Sequence, residues 1–321
     1  MKRIRVAVLR GGPSSEYEVS LKTGKNVLSS LPDAYIPTDV FISRDGVWHV
    51  EGVPVSPEKV LSHIDVVFNA LHGEYGEDGK LQRLLDTFKV PYTGSQALAS
   101  ALAMNKVMAK EIFISAGLKT PIFKVFKHVD HDADLAHTIF KTFPMPAIVK
   151  PNGAGSSVGV SLVRSIRDIE AAIEEALKYA DTVLVEEFID GKEATCGVID
   201  AFKGQDVYSL LPVEIQKPIE NPFFDYDAKY SGRSKEVCPG NFSAKESKLI
   251  QEAAVTAHKA LGLRHYSRSD FMVHPKRGVY ILETNTLPGL TNESLLPLSL
   301  KAVGTSVPNF LDHILRLALK K

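Results

Sequence analysis

The chain has 321 residues, 38 Lys and Arg against 38 Asp and Glu, and only two cysteines. That length exceeds one typical domain and predicts two or three, each able to bury a core without covalent staples. A formal net charge of zero supplies no overall field for nucleic acid or an anionic membrane, so any anion site is local and a small-molecule substrate is expected.

Cys196 and Cys238 lie far apart without paired spacing, which indicates neither a disulfide framework nor a zinc site. After Met1-Lys2-Arg3 the apolar run Val6 to Leu9 stops at Arg10, too short for a signal-peptide core. No later stretch approaches a membrane span, so a cytoplasmic address is expected.

Residues 4–9 read as a buried strand feeding Gly11-Gly12-Pro13-Ser14-Ser15-Glu16 and then a helix from Glu18 to Leu31. A second strand, Val66 to Leu71, runs into His72-Gly73-Glu74-Tyr75-Gly76-Glu77-Asp78-Gly79 and a helix from Lys80 to Phe88. Loops after parallel strands are where such α/β units bind ligands. Glu16 precedes a helix, where it serves either as a capping acceptor or as the partner of a substrate ammonium. His72 sits in a glycine-flanked loop; a histidine at a strand end is more often structural than catalytic, and the loop position raises the odds of function modestly. Thr93-Gly94-Ser95 ends this unit. A single Ala/Leu/Met-rich helix, Ala97 to Ala116, opens the next, which places three units at 1–96, 97–187 and 188–321.

From 122 the order is strand, helix (Asp132 to Phe143), strand (Ala147 to Pro151), glycine-rich turn, strand (Val158 to Val163), helix (Ile166 to Ala180) and strand (Thr182 to Phe188). Lys150 stands at a strand end before Pro151-Asn152-Gly153-Ala154-Gly155-Ser156-Ser157-Val158-Gly159. Backbone N–H groups of such a turn can wrap phosphate oxygens while the ammonium adds a point charge, and a plain β-hairpin fits equally well. No Gly-Lys-Ser/Thr follows, so this is not a P-loop. Lys106, judged locally, is a surface lysine of the 97–116 helix. Glu186-Glu187-Phe188-Ile189-Asp190-Gly191-Lys192-Glu193 closes a strand, where carboxylates can accept from adenine or ribose or simply begin a solvated loop.

Beyond Gly191 come further strands, then Lys217 to Gly240, too long and too rich in Pro, Gly, Tyr and charge for a regular element and therefore read as a lid. Within it Lys229 could reach a phosphate and Tyr230 could cover a substrate, or the stretch is an ordinary polar loop. A long helix, Ala244 to Leu261, precedes a hairpin, and an amphipathic helix from Pro308 to Leu319 closes the chain. The hairpin is the most informative stretch. Its strands are His265 to His274 and one ending in Glu283-Thr284-Asn285, joined by the turn Pro275-Lys276-Arg277-Gly278. Period-two alternation puts Arg268 with Asp270 and Glu283 with Asn285 on one face. Two carboxylates, a carboxamide and a guanidinium suit Mg²⁺ bridging nucleotide phosphates, the Arg neutralising developing charge, and the plainer alternative is a set of ion pairs on an exposed hairpin.

Several stretches, in order along essentially the whole chain, resemble the D-alanine D-alanine ligases of the ATP-grasp superfamily. They are Gly11-Gly12-x-Ser14-x-Glu16, Leu71-His72-Gly73 with Gly76-Glu77-Asp78-Gly79, and Pro91-Tyr92-Thr93-Gly94-Ser95. Lys150-Pro151 follows with Gly155-Ser156-Ser157-Val158-Gly159, then Asp225-Tyr226 with Ala228-Lys229-Tyr230. Arg268-x-Asp270 and Glu283-x-Asn285-Thr286-x-Pro288-Gly289-x-Thr291 complete the set.

The resemblance implies a three-domain ATP-grasp fold of α/β (α+β) class with an N-terminal parallel α/β domain. It implies D-alanyl-D-alanine synthesis for peptidoglycan from ATP and two D-alanines through a D-alanyl phosphate, by a homodimer that binds neither nucleic acid nor membrane. Lys106, Lys150 and Lys229 would contact the phosphates of ATP and Glu186 and Glu193 the adenosine, while Ser157, Ile189 and Glu187, the last mainly through its backbone, would also bind ATP. Asp270, Glu283 and Asn285 would hold two Mg²⁺ ions, replaceable by Mn²⁺. Arg268 and the Gly289 N–H would stabilise the tetrahedral intermediate, beside a set formed by Glu16, Ser156 and Tyr230. Ser294 and Leu295 would meet the second alanine, with His72 near that pocket. Ligases that make D-alanyl D-lactate generally lack the lid tyrosine, so Tyr230 favours the dipeptide. The alternatives are a ligase using D-lactate or another D-amino acid, and a non-catalytic nucleotide or amino-acid binding protein.

Overall fold

The computed structural model describes residues 3–127, 135–153, 155, 158–216 and 235–320. The N-terminal unit runs β1 (Ile4–Gly11), α1 (Tyr17–Ser30), β2 (Tyr35–Ile42), β3 (Trp48–Val50), β4 (Val53–Pro54), α2 (Pro57–Leu61), β5 (Val66–Asn69) and α3 (Lys80–Thr87). β1 lies parallel to both β2 and β5, and β3 and β4 extend the sheet antiparallel. Val6 to Leu9 are fully buried, because helices cover both faces of a parallel sheet and its central strand becomes a continuous apolar run. The expected strand and helix positions here match the structure. β2 to β4 and α2 carried no comparable signal, since Pro37 and Asp39 interrupt the apolar run of β2.

The single helix expected over 97–116 is two, α4 (Ala97–Met104) and α5 (Lys106–Ser115). Asn105 breaks it, with non-helical φ −81° and ψ 102°, and its side chain accepts from the Met108 N–H to cap α5. The apolar pattern continues on both sides, so only the capping propensity of Asn marks the break. Next come β6 (Phe123–Lys127), α6 (Leu135–Thr142), β7 (Ala147–Pro151), β8 (Ser161–Val163), α7 (Ile166–Leu177) and β9 (Thr182–Glu187). Their antiparallel sheet has the order β6-β9-β7-β8. α6 and α7 pack Ile139, Ile169 and Ile173 on Val149, Val183 and Val185. β8 is shorter than the strand expected from Val158.

The third sheet holds β10 (Lys192–Phe202), β11 (Gln205–Ser209), β12 (Val213–Gln216) and β13 (Lys235–Val237), then, after α8 (Ala244–Ala260), β14 (Tyr266–His274) and β15 (Gly278–Asn285). Its order is β13-β12-β10-β14-β15, with β11 beside β10. Of the expected 217–240 lid, residues 217–234 lie outside the described residues, and Lys235 to Val237 form a strand instead of loop. Helices α9 (Leu295–Ala302) and α10 (Val307–Leu319) close the chain.

Two cores join parts far apart in sequence. α4, α5 and α8 bury Ala103, Phe113 and Ile250 against Phe271 and Ile281 of the third sheet. Phe310, Leu311, Ile314 and Leu315 of α10 pack with Val6, Val8 and Phe68 of the first sheet. The Tyr35 hydroxyl donates to Asp312 Oδ1 at 2.8 Å, and Asn26 Nδ2 to the Leu290 carbonyl at 2.5 Å. These contacts seat the N-terminal loops over the β14–β15 hairpin. No helix among the described residues is long and apolar enough to cross a membrane.

Candidate active site

The expected hairpin forms, and its register puts Arg268 opposite Asn285 and Asp270 opposite Glu283. All four are partly exposed while Ser267, Ser269, Thr284 and Thr286 between and beside them are buried, so one face of the hairpin carries the polar set. The register then shifts, with Phe271 opposite Ile281, which leaves Leu282 as an extra residue. Bulges of this kind aim side chains beside active sites. Arg268 donates from Nε to Asp270 Oδ1 and from Nη2 to Oδ2, both at 2.9 Å. Burial pushes its guanidinium down, but Asp270 outweighs that and holds it above its ordinary value. Asp270 also accepts from Thr195 Oγ1 at 2.6 Å and Asn285 Nδ2 at 3.1 Å.

Two carboxylates and one carboxamide form an all-oxygen donor set too small to enclose a cation. Among the described residues no three His, Cys, Asp or Glu side chains gather around one point. Mg²⁺ does not need such a cage, since it is usually held by one or two carboxylates together with substrate phosphates. The set therefore fits a nucleotide-bridging Mg²⁺ and fits a free-standing metal centre poorly.

Lys106 is the first residue of α5, which the Asn105 break creates. It is not a surface lysine: it is 8% exposed, and its Nζ lies 3.2 Å from Glu283 Oε2. Its N–H donates to the Asn152 carbonyl at 3.1 Å, and the Val107 N–H to Asn152 Oδ1 at 3.0 Å. The glycine turn after Lys150 is thus tied to the start of α5. Ser156 and Ser157 of that turn, and Lys229 and Tyr230 of the expected lid, lie outside the described residues.

Lys150 sits opposite Leu184, and Glu186 is two residues further on β9, hence on the same face. Lys150 Nζ lies 2.8 Å and Lys110 Nζ 3.1 Å from Glu186 Oε1. These are charge contacts without aligned hydrogen-bond geometry. Burial pushes the Glu186 carboxyl up, and the two ammoniums overcome it and leave it below its ordinary value. Burial conversely lowers Lys110 to about 8, against the attraction of Glu186.

Glu187 points to the opposite face. Its carboxylate accepts from Arg277 Nη2 at 3.0 Å on both oxygens and from the Ile122 N–H at 3.2 Å. Ile189 packs with Met272 and Tyr280 in a small apolar cluster, and Glu193 stands opposite Met272 on β10. An apolar platform beside strand-end carboxylates is a suitable seat for a nucleoside.

From the N-terminal side, Glu16 precedes α1 without capping it. Its Oε2 occupies a gap that exists because two neighbours are glycines: a Cβ on Gly73 would fall 2.7 Å from it, and one on Gly155 2.8 Å. Glu16, Lys106, Glu283 and Asn285 line one cleft with Glu77 and Thr286. His72 is buried, with Nε2 2.9 Å from Thr23 Oγ1. Burial holds its imidazole below the usual value despite the Glu16 charge. Beyond the hairpin, Ser294 Oγ accepts from the Thr291 N–H at 3.1 Å and lies 2.8 Å from Thr291 Oγ1. A Cβ on Gly289 would fall 2.9 Å from that Oγ, so Gly289 and Ser294 are close neighbours. Leu295 packs on Val213 and Ile215.

Sequence reasoning did not single out Glu77, Lys110, Thr195 or Asn152 as site residues. Glu77 sat inside a quoted glycine-flanked motif, and Lys110 follows Lys106 by four residues, one helical turn on the same face. Those were the available signals.

Family models described as D-ala D-ala ligase N-terminus and D-ala D-ala ligase C-terminus match residues 50–95 and 112–316. The D-alanine–D-alanine ligase of Geobacter sulfurreducens is 39% identical, covering 98% of this chain and 94% of its own, and that of Geotalea uraniireducens 40% identical, covering 100% and 97%. Among solved structures, the VanG D-Ala:D-Ser ligase from Enterococcus faecalis superimposes with a TM-score of 0.85 at 32% identity, over 98% of this chain and 99% of that one. The Bacillus anthracis D-alanine–D-alanine ligase complexed with ATP gives 0.80 at 28% identity, over 99% and 98%. Agreement in sequence and in backbone, end to end, makes the chain a member of the D-alanine–D-alanine ligase family, with its ATP-grasp fold.

Proposed function

We propose that the cleft between Glu16, Lys106 and the β14–β15 hairpin is where this chain carries out its family's reaction, the ATP-dependent joining of two D-alanines into D-alanyl-D-alanine for peptidoglycan. The observation that carries this reading is the pairing of Arg268 with Asn285 and Asp270 with Glu283 on one hairpin face, with Lys106 on Glu283. Amide formation from a carboxylate needs activation. A carboxylate oxygen of the first D-alanine attacks the γ-phosphorus, the bond to ADP breaks, and a D-alanyl phosphate forms. The amine of the second D-alanine then attacks the acyl carbon, loses a proton, and phosphate leaves.

Both steps gather negative charge beside Arg268, whose guanidinium is fixed in advance by Asp270, and beside the Gly289 N–H; preorganised donors of this kind are usually the largest catalytic contribution. Glu16 would hold the first ammonium, with Ser156 and Tyr230 completing that set. Ser294 would take the second carboxylate, with Leu295 and His72 bordering the pocket. Lys106, Lys150, Ser157 and Lys229 would bind the phosphates. Glu186, Ile189, Glu193 and the backbone of Glu187 would bind the adenosine, since the Glu187 carboxylate is engaged by Arg277. Asp270, Glu283 and Asn285 would hold two Mg²⁺ ions, or Mn²⁺ in their place, which screen phosphate charge and polarise the transferred group. Units 1–96, 97–187 and 188–321 are the proposed domains, each containing one of the three sheets. The enzyme is proposed to act in the cytoplasm as a homodimer.

Phosphate release and product mass, measured with ATP, Mg²⁺ and D-alanine, D-serine or D-lactate, test the reading. D-alanyl-D-alanine as the main product supports it. Failure to form ADP with D-alanine overturns it, and preference for another acceptor overturns the dipeptide assignment alone.

A further inference from the structure

Lys110 is wholly buried and therefore touches no substrate, yet its ammonium ends in the group of charges at the nucleotide side of the cleft. It lies 3.1 Å from Glu186 Oε1, donates to Thr120 Oγ1 at 2.6 Å and stands 5.4 Å from the centre of the Phe123 ring. Lys150 reaches the same oxygen from the other side at 2.8 Å. Oε1 is fully enclosed, while the side chain as a whole retains 3% exposure.

We propose that Lys110 is a positioning residue for nucleobase selection: with Lys150 it pins Glu186 Oε1 inward, so that Oε2 is presented as an acceptor for the 6-amino group of adenine. This rests on the reading that Glu186 meets the nucleobase. The terminal torsion of a glutamate is soft and two-fold, so one ammonium leaves the carboxylate free to turn about the contact. Two ammoniums, one from α5 and one from β7, fix it. A second buried lysine beside Lys150 is unfavourable unless a carboxylate compensates it, which ties the presence of Lys110 to the charge and orientation of Glu186. A carboxylate has acceptors only and cannot donate to a 6-oxo purine, so a fixed Glu186 discriminates between the two.

Steady-state kinetics with ATP and inosine triphosphate, under saturating D-alanine, test this in three variants. Glu186→Gln places a carboxamide in the same cradle. The amino groups of Lys110 and Lys150, donors whether charged or neutral, should hold its oxygen inward and turn its NH₂ outward as a donor, and the ATP to inosine triphosphate ratio of kcat/KM should invert. A ratio falling toward one without inversion means that Glu186 reads the base but is not pinned, which overturns the proposal. An unchanged ratio means that Glu186 does not read the base, and then the underlying assignment fails as well. Lys110→Met should raise the KM for ATP at least tenfold, with kcat within threefold of wild type, and compress the ratio at least tenfold. A folded Lys110→Met enzyme with the wild-type ratio overturns the role of Lys110 alone. The double variant should show no preference between the purines; retention of the inverted preference would place the pinning on Lys150 only. The Glu186→Gln arm decides the matter even where Lys110→Met does not fold.

Discussion

The carboxylate of Glu77 accepts a hydrogen bond from the Leu287 N–H at 2.9 Å, across 210 residues of sequence. The same side chain takes the Gly73 N–H at 2.8 Å and the Thr286 hydroxyl at 3.2 Å. It therefore couples the loop after β5, which shapes the gap for Glu16, to the segment after β15 that leads to Gly289. Burial, followed by the charge of Glu16, raises Glu77 to about 7, against the three donors that favour its ionised form.

This shift has a definite sign. From its ordinary value of 4.5 up to about 7, the folded chain holds a proton on Glu77 that the unfolded chain has lost, so its contribution to stability is present below that window and is lost as pH rises through it. The loss is on the order of 3 kcal/mol. Glu77→Gln cannot titrate and should show a flatter stability profile than wild type between pH 5 and 7.5 in urea unfolding. Equal slopes for the two proteins would contradict the shift.

Glu283→Gln should reduce phosphate release by at least about a thousandfold, as expected when a charge central to phosphoryl transfer is neutralised. It should leave the melting temperature close to wild type, because Glu283 is partly exposed and Gln keeps its size and shape. Turnover near the wild-type rate would remove Glu283 from the proposed metal set.

Much of this site could be read before any coordinates, for a local reason. The four hairpin residues follow from period-two alternation and one Pro-to-Gly turn, and both β1 and the long α8 are regular enough to place. What could not be read depends on partners remote in sequence. Lys106 looks like a surface lysine until Asn105 breaks the helix and Asn152 and Glu283 enclose it. Glu187 looks equivalent to Glu186, but alternation sends it to the other face, where Arg277 of the distant hairpin turn takes it. Glu77 is one acid of a quoted loop motif, with no role of its own until Leu287 arrives. Tyr230 and Lys229, read as lid residues, fall outside the described residues.

Gly73→Ala should act on Glu16 before it acts on stability. The new methyl would stand 2.5 Å from Ser14 Oγ and 2.7 Å from Glu16 Oε2, at a φ of +68° that favours glycine. Glu16 must move, so the KM for the first D-alanine should rise at least tenfold, while the KM for ATP changes less than threefold. A proportional rise in both would show that the loop, and not Glu16 alone, has been displaced.

Gly289→Ala tests the proposed site of the second alanine. Gly289 has an ordinary backbone conformation, so the substitution brings little strain of its own, but its Cβ would fall 2.9 Å from Ser294 Oγ. Ser294 cannot yield freely, because its Oγ is held by the Thr291 N–H at 3.1 Å and lies 2.8 Å from the Thr291 hydroxyl. Two effects are therefore expected: displacement of the Ser294 hydroxyl from the second carboxylate, and a shift of the residue 289 N–H away from the oxyanion. The first raises the KM for the second D-alanine. The second lowers kcat, by about 10²-fold if this donor is worth what a typical oxyanion-hole donor is. Ser294→Ala in the Gly289→Ala background relieves the clash without restoring the hydroxyl, so kcat should recover while the second KM stays high. If neither parameter recovers, the Gly289 N–H is misassigned and the loss comes from the loop as a whole.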